Sequence, residues 1–423
     1  MHRIRSADHT LMREMNLALL LECLRREAPL SRADLALMTG LTKAAVSSLV
    51  RELIEARYVR ELGPDLGNKG RPSVPLELNP NVGYLIGAEI GVDFISVILT
   101  NFAAQVIWRR DEALTTRAQT AVLHRLVAAV NQAWAETRAR HQTILGLGLG
   151  LPGLVNVDNG TLLFSPNLGW TDVPLRDWLQ AQFAFPIYID NEANMAALGE
   201  SYFGAARGSD LVLHLSCNVG VGAGLVINRR IFSGTGGLAG EVGHMTIDPD
   251  GPPCNCGSRG CWETYVSKWA LLRRVEEAIL SGRPTRLLAA TGHDLQQLTI
   301  PMIVDAARRG DGVARAALAE TGVYLGIGLA GLINALNPER VVFGGGLSLA
   351  HEFVLPTLRE EVRRRAMRWA AEAAEIVVAA HGTDACVMGG IATVYYRVLT
   401  EPLPYYAQGQ RGGEAQTPAA VTV

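Results

Sequence analysis

The sequence predicts an α/β protein in two parts, an N-terminal winged helix-turn-helix and a larger region of two similar α/β lobes around a cleft. Three observations carry that expectation. The first 60 residues space short helices as helix–helix–Gly–helix, with a turn-rich stretch behind them. Further on, apolar strands run into glycine turns at least twice, with crossover helices between. One run then sets a histidine and three cysteines close together, as His244-x9-Cys254-x-Cys256-x4-Cys261.

Length and composition bound the rest. A chain of 423 residues has room for two or three domains and a large core. With 48% hydrophobic residues and 44 glycines, it reads as a glycine-punctuated folded protein. The net charge of −2 gives no overall field that attracts nucleic acid. The first 80 residues carry 12 Lys+Arg against 10 Asp+Glu, and the remainder 27 against 31, so the small basic excess sits at the front. No signal core opens the chain, and no apolar run is read as a membrane span of ~20 residues. Six cysteines in a chain this long fit a reducing cytoplasm, which is the expected location.

Residues 11–28 place Leu17, Leu20, Leu21 and Leu24 at helical spacing, and Pro29 ends that helix. Ser31 is an N-cap for a second helix, with Asp34 completing a capping box. Gly40 turns the chain and Thr42 caps a third helix. On that helix Val46, Leu49, Val50, Leu53 and Ile54 form an inward face. Lys43, Ala44, Ser47, Ser48 and Arg51 face outward, small or polar enough for a major groove. Ser31, Arg32 and Thr42 at the two helix starts join them as candidate DNA contacts. The turn-rich GPDLGNKGRP between short strands reads as a hairpin wing, with Lys69 and Arg71 at its tip to reach phosphate or minor groove. A protein-interaction module is the alternative for this unit. Asn79-Pro80-Asn81 is the expected hinge, which bounds a domain at 1–80.

In the second part, residues 83–102 read as a hairpin, 119–140 as a helix and ILGLGLGLPGLV as one strand. IYID precedes Asn191, which opens a helix running to Gly204. LVLHLS meets the glycine-rich NVGVGAGLVI, helices fill 264–335, and NPERVVFGGGLS is a strand ending in three glycines. EIVVAA and a helix near 384–399 close this domain, 81–400. Residues 401–423, rich in Gln, Gly and Pro, read as a disordered tail.

The histidine–cysteine run is the chemical centre. Thiolate and imidazole suit tetrahedral zinc, and four protein ligands would make the metal structural, with no open position for catalysis. His244, Cys254, Cys256 and Cys261 are therefore the candidate ligands, with Gly257 and Gly260 supplying the turns. Three free cysteines, or a disulfide pair, are the alternatives. Glu241 and Glu263 bracket the run, so a metal would fix where they and His244 point.

This run closely resembles the signature of the ROK family (repressors, open reading frames and sugar kinases). The resemblance implies the actin-like, ribonuclease H-like fold, structural zinc on the same four residues, and sugar hydroxyls held by the two glutamates and the histidine. SPNLGW and DNEAN are similar to the family's sugar-side motifs, which adds Asn167, Asn191 and Glu192 as sugar ligands. Helix capping is the alternative for the asparagines, and Trp170 fits a core position. The head resembles the winged helix of ROK repressors, with Lys69-Gly-Arg-Pro near the family's Gly-Gly-Arg-Pro. The phosphate side departs from the kinases. Where they carry Asp-x-Gly-Gly-Thr, this chain has Glu89, Ile90, Gly91, Val92 and Asp93. Where they carry Gly-Thr-Gly-x-Gly-x-Gly, it has Asn218 and Val219 before Gly220. The catalytic aspartate position holds Glu192. Only Gly344-Gly345-Gly346 stays similar to the adenosine-side turn. The implied protein is a sugar-responsive repressor, a homodimer or homotetramer on double-stranded operator DNA, released by a monosaccharide and most similar to the xylose-repressor branch. It uses no ATP and no membrane. An active sugar kinase with a DNA-binding head is the competing reading, and a repressor with a vestigial sugar cleft the third.

Overall fold

A computed structural model describes residues 9–63, 74–138 and 143–402. Its head is built by local chemistry. Helix α1 (His9–Glu27) buries Leu17, Leu20, Leu21 and Leu24. Helix α2 (Arg32–Thr39) starts at Ser31, whose hydroxyl accepts from the Asp34 amide while the Asp34 carboxylate takes the Ser31 amide. That reciprocal cap satisfies two donors the helix cannot pair itself. Gly40 ends α2 at φ 70°, a left-handed turn that a Cβ disfavours. Helix α3 (Lys43–Glu55) follows at 118° to α2, capped by Thr42, and buries Val46, Leu49, Val50 and Leu53, with Ile54 half-buried. Strands β1 (Val59–Glu61) and β2 (Leu76–Leu78) pair antiparallel, with Arg60 and Glu77 opposite each other and hydrogen-bonded at 2.6 Å. This is the winged helix-turn-helix that the sequence predicts. The wing tip, with Lys69 and Arg71, and the tail from 403 lie outside the described residues.

The chain continues through β3 (Tyr84–Ile90), β4 (Phe94–Asn101), β5 (Val106–Ala113), α4 (Gln119–Arg138) and β6 (Ile144–Leu151). Next come β7 (Leu154–Asn156), β8 (Thr161–Ser165), β9 (Trp170–Val173), α5 (Leu175–Gln180), β10 (Ile187–Asn191) and α6 (Glu192–Tyr202). The hairpin β11 (Leu211–Cys217) and β12 (Val221–Ile227) leads to the short β13 (Arg230–Ile231). Helices α7 (Glu263–Val266), α8 (Lys268–Leu280), α9 (Leu287–Ala290), α10 (Ile300–Arg308) and α11 (Gly312–Leu336) follow. Strand β14 (Arg340–Gly344), helices α12 (His351–Arg365) and α13 (Arg368–Ala373), strand β15 (Glu375–Val378) and α14 (Ala385–Thr400) complete the order.

Two compact units result. One comprises residues 1–149, 174–188 and 393–423, and the other 150–173 and 189–392. The main sheet of the first has the order β5-β4-β3-β6-β10, and that of the second β13-β12-β11-β14-β15. The two orders match strand for strand: an antiparallel three-strand meander with two further strands added beside its first member. That duplication is the two-lobed architecture expected from the glycine-turn repeats. In the second sheet β14 lies parallel to β11 and β15 parallel to β14. Helix α11 is apolar over a length that could span a bilayer, yet 61% of that stretch is buried in the core, against α12, α8 and α7.

Two details differ from expectation. The run from 144 to 155 is two strands, because Pro152 lacks an amide to continue the ladder and Gly153 turns at φ 129°. Strands β8 and β9, with β7, form a separate antiparallel sheet. Their mixture of polar and half-buried positions carries no clean alternation to announce them.

Candidate metal and effector site

The site grows from the chain that leaves β12. The Gly240 carbonyl accepts from the Ala223 amide at 2.9 Å, so Glu241 follows directly from a residue pinned to the sheet. Gly240 sits at φ 96°, and a Cβ there would strike the Ala223 carbonyl. A single helical turn, 242–244, presents His244. The chain then folds back on itself: Ile247 donates to Gly260 at 2.9 Å, Trp262 to Met245 at 2.8 Å and Cys254 to Ser258 at 2.8 Å. Gly257 and Gly260 turn at φ 91° and 62°, as the spacing requires. The result gathers ligand atoms of His244, Cys254, Cys256 and Cys261 within 4.8 Å of one another.

Those four residues could hold a metal ion. A tetrahedral zinc ~2.3 Å from each sulfur would set two sulfurs about 3.8 Å apart. Cys256 Sγ and Cys261 Sγ are 3.6 Å apart, and Cys254 Sγ is 3.7 Å from His244 Nδ1. The donor set and spacing therefore fit such an ion. Burial pushes the Cys254 and Cys261 thiols up, while the Ser258 amide bond draws the exposed Cys256 thiol down. A dication offsets the cost of ionising the buried pair.

The carboxylates stand around the same imidazole. His244 Nε2 is 3.8 Å from Glu241 Oε2, and Nδ1 is 3.6 Å from Glu263 Oε1. Burial raises the Glu241 pKa, His244 lowers it and Glu263 raises it again. Glu263 Oε1 also accepts from the Cys254 thiol at 3.0 Å. Glu263 opens α7, a one-turn helix held at both ends. Before it, Trp262 is fully buried and its indole N–H donates to the Tyr324 carbonyl at 2.7 Å. Behind it, Arg274 donates to the Tyr265 carbonyl at 2.6 Å and to Thr321 Oγ1 at 2.9 Å. Arg274 is a positioning residue that sequence reasoning missed, because its partner on α11 lies 47 residues away.

The remaining sugar-side residues belong to the same unit. Asn191 caps α6: its Oδ1 accepts from the Ala193 amide at 2.7 Å and its Nδ2 donates to the Gly153 carbonyl at 2.9 Å. The capping alternative thus engages this side chain, leaving one Nδ2 hydrogen and one Oδ1 lone pair for a ligand. Glu192, half-buried, is the first residue of α6, while Asn167 is exposed between β8 and β9. Trp170 is 4% exposed and packs as core. Asp190 also escaped notice although it begins the DNEAN run. It accepts from the Asn191 amide at 2.7 Å and from Asn194 Nδ2 at 2.9 Å. Burial still pushes its pKa up to about 6 against those bonds.

The glycine loops carry a further detail. Asn218 Oδ1 accepts from the Gly346 amide at 2.6 Å, and its Nδ2 reaches Ser216 Oγ at 3.2 Å. A side chain therefore occupies an amide of the three-glycine turn. In the first unit, Val92 is half-buried and Asp93 exposed beyond β3.

On the head, Lys43, Ala44, Ser48 and Arg51 are exposed along α3, and Ser47 is half-buried with its hydroxyl donating to Lys43 O. Three other candidates are engaged locally. Ser31 and Thr42 are N-caps, and Arg32 pairs with Glu61 of the wing strand at 2.7 Å.

Comparison with known proteins places these features. A MarR family model matches residues 15–65 and a ROK family model matches residues 85–396. A putative xylose repressor from Caldicellulosiruptor sp. (strain Rt8B.4) is 37% identical over 93% of this chain and 99% of its own. A solved ROK family transcriptional regulator, described as a homolog of the E. coli MLC protein, superposes with a TM-score of 0.82 at 27% identity, covering 94% of this chain and 98% of that one. A ROK glucokinase from Streptomyces griseus, solved with glucose and AMPPNP, gives 0.67 at 31% identity and covers 74% of this chain and 99% of its own. A helix-turn-helix head joined to this two-lobed domain defines a DNA-binding transcriptional regulator. The chain belongs to the ROK family.

Proposed function

We propose that this chain is a sugar-responsive repressor that holds operator DNA with its head and releases it when a free monosaccharide, xylose or a close relative, binds beside the metal centre. The observation that carries the reading is the position of His244. One ring nitrogen, Nδ1, faces the Cys254 thiol and Glu263, and the other, Nε2, faces Glu241. An ion bound through Nδ1 leaves Nε2–H to donate, which orients the ring toward Glu241 and a sugar hydroxyl. Zinc on His244, Cys254, Cys256 and Cys261 would supply charge and a fixed scaffold only. With Cys254 held as a thiolate, Glu263 would no longer accept from its thiol, and that carboxylate would be open to a hydrogen bond from a sugar hydroxyl. Vicinal hydroxyls are donors and acceptors at once, so Glu241, Glu263 and Glu192 with Asn167 and Asn191 suit them.

Phosphoryl transfer is not part of this proposal. The amide of Gly346 already serves Asn218, Asp93 brings negative charge to the other glycine turn, and Glu192 is one methylene longer than the aspartate base of the kinases. A shift of roughly 1 Å at such a base can cost ~10²-fold. On DNA, Lys43, Ala44, Ser47, Ser48 and Arg51 line the reading helix, with Lys69 and Arg71 on the wing, and a homo-oligomer supplies paired heads for two half-sites. The test is calorimetry of the zinc-loaded protein with a panel of pentoses and hexoses, with and without ATP. Saturable pentose binding without ADP release supports the reading. Sugar-dependent ADP release would replace it with a kinase.

A further inference from the structure

Helix α1 carries large apolar residues on both of its faces. The inner face is the buried Leu17, Leu20, Leu21 and Leu24 described above. On the opposite side Met12 is 53% exposed, Met15 62% and Leu19 40%. The spacing of three and then four residues puts them in one stripe along the helix. A surface helix normally presents polar residues there, and scattered single exposed apolar side chains need no account, but an aligned run does. We infer that this stripe is where the DNA-binding head meets the head of a second copy of the chain, and that the contact forms when both are seated on one operator.

Three features on the page select that occupant. The first is charge. Arg13 is tied to Glu52 of α3 by two hydrogen bonds, at 3.1 and 2.6 Å, and Arg25 to Glu22 at 2.7 Å. Glu22, beside the stripe, is thus neutralised within the head, and the exposed Arg26 stands in line with it at its C-terminal end. Between Met12 and Leu19 this face carries no acidic or basic side chain, so an identical apolar strip suits it better than a charged partner. The second is symmetry. A two-fold axis between Met15 and Asn16 sets Met12 of one copy against Leu19 of the other, and each Met15 beside the axis, as an isologous contact requires. The third is area. Three partly exposed side chains cover far less than the ~800 Å² per partner of a stable interface. The stripe is too small to pair heads in free solution. It suffices where DNA has already placed two heads side by side, so it would act as cooperativity between half-sites. Methionine suits such a transient contact, because its unbranched side chain adapts to the facing surface.

The inference rests on the repressor reading, and the experiment separates the two. Full-length protein is titrated onto a duplex with two selected half-sites and onto one with a single half-site. A variant combining Met12→Gln, Met15→Gln and Leu19→Gln should bind the single site as wild type does, while its affinity for the paired site falls about tenfold. In parallel, Met15→Cys should form an intermolecular disulfide on the paired duplex and little without DNA. Leu37→Cys, more solvent-facing at 85% exposure but on α2, should not. Equal paired-site affinity for variant and wild type overturns the inference. So does a Met15→Cys disulfide that forms as readily without DNA. Loss of binding to both duplexes by the glutamine variant would show that the stripe maintains the head itself, and also overturns it. A wild-type protein that binds neither duplex would fall against the repressor reading.

Discussion

Asp190 shows how a single buried group shapes this site. Its carboxyl has a folded pKa near 6 against an ordinary 3.8, because burial outweighs the two hydrogen bonds it accepts. The sign follows from linkage. A carboxyl raised in the folded state costs stability when ionised, so the cost is full above about pH 6 and fades as pH falls toward 4. Asp190→Asn should therefore melt higher than wild type at pH 7.5, with the gap narrowing below about pH 6 and closing as pH falls toward 4; a scanning calorimetry series reads it, and a gap independent of pH would assign the effect elsewhere. Cys256 makes the opposite kind of contribution. It is exposed and packs against nothing essential, so Cys256→Ser should fold, yet lose the metal by elemental analysis. Its operator affinity should stay within about twofold of wild type, while the sugar-induced shift disappears.

At the scale of elements, the head is held by its caps and the effector site by a clamp. Ser31→Ala removes a reciprocal cap and should cost about 1 kcal/mol of local stability, visible as faster amide exchange along α2. On α3, Arg51→Ala should weaken operator binding at all sequences and flatten the salt slope by about one unit. Ser48→Ala, by contrast, should change which sequence is preferred. An unchanged salt slope would remove Arg51 from the interface. Arg274→Ala should retain zinc but weaken sugar binding, since it releases α7 and with it Glu263. Arg274→Lys, which cannot reach Thr321 and Tyr265 together, should rescue only part of that loss.

Legibility in the sequence followed the same scale. The three head helices could be placed because Ser31, Thr42, Gly40 and Pro29 announce their ends within a few residues. The metal ligands could be found because they are neighbours along the chain. Strand β5 could not, since its outward positions alternate with arginine and acidic residues in a pattern a loop also shows. The second bond of Asn191, from Nδ2 to the Gly153 carbonyl, spans 38 residues, and the block on the glycine turn depends on Asn218 meeting Gly346 across 128 residues. Pairings at that separation are decided by the fold, so local pattern carries no trace of them.

For the whole molecule, two copies of one sheet order and a small DNA-binding head make a repressor from the architecture of a sugar kinase. Removing residues 1–80 should abolish operator binding and leave sugar affinity in place. The central claim is that free sugar, without phosphorylation, releases the operator. It is tested most directly by fluorescence anisotropy of labelled operator DNA with the full-length zinc-loaded protein, titrated with xylose in the absence of nucleotide. The account predicts that saturating xylose raises the apparent Kd for the operator at least tenfold, with the same midpoint when ATP is added and no ADP formed. Operator affinity that ignores every monosaccharide until ATP is supplied would contradict it.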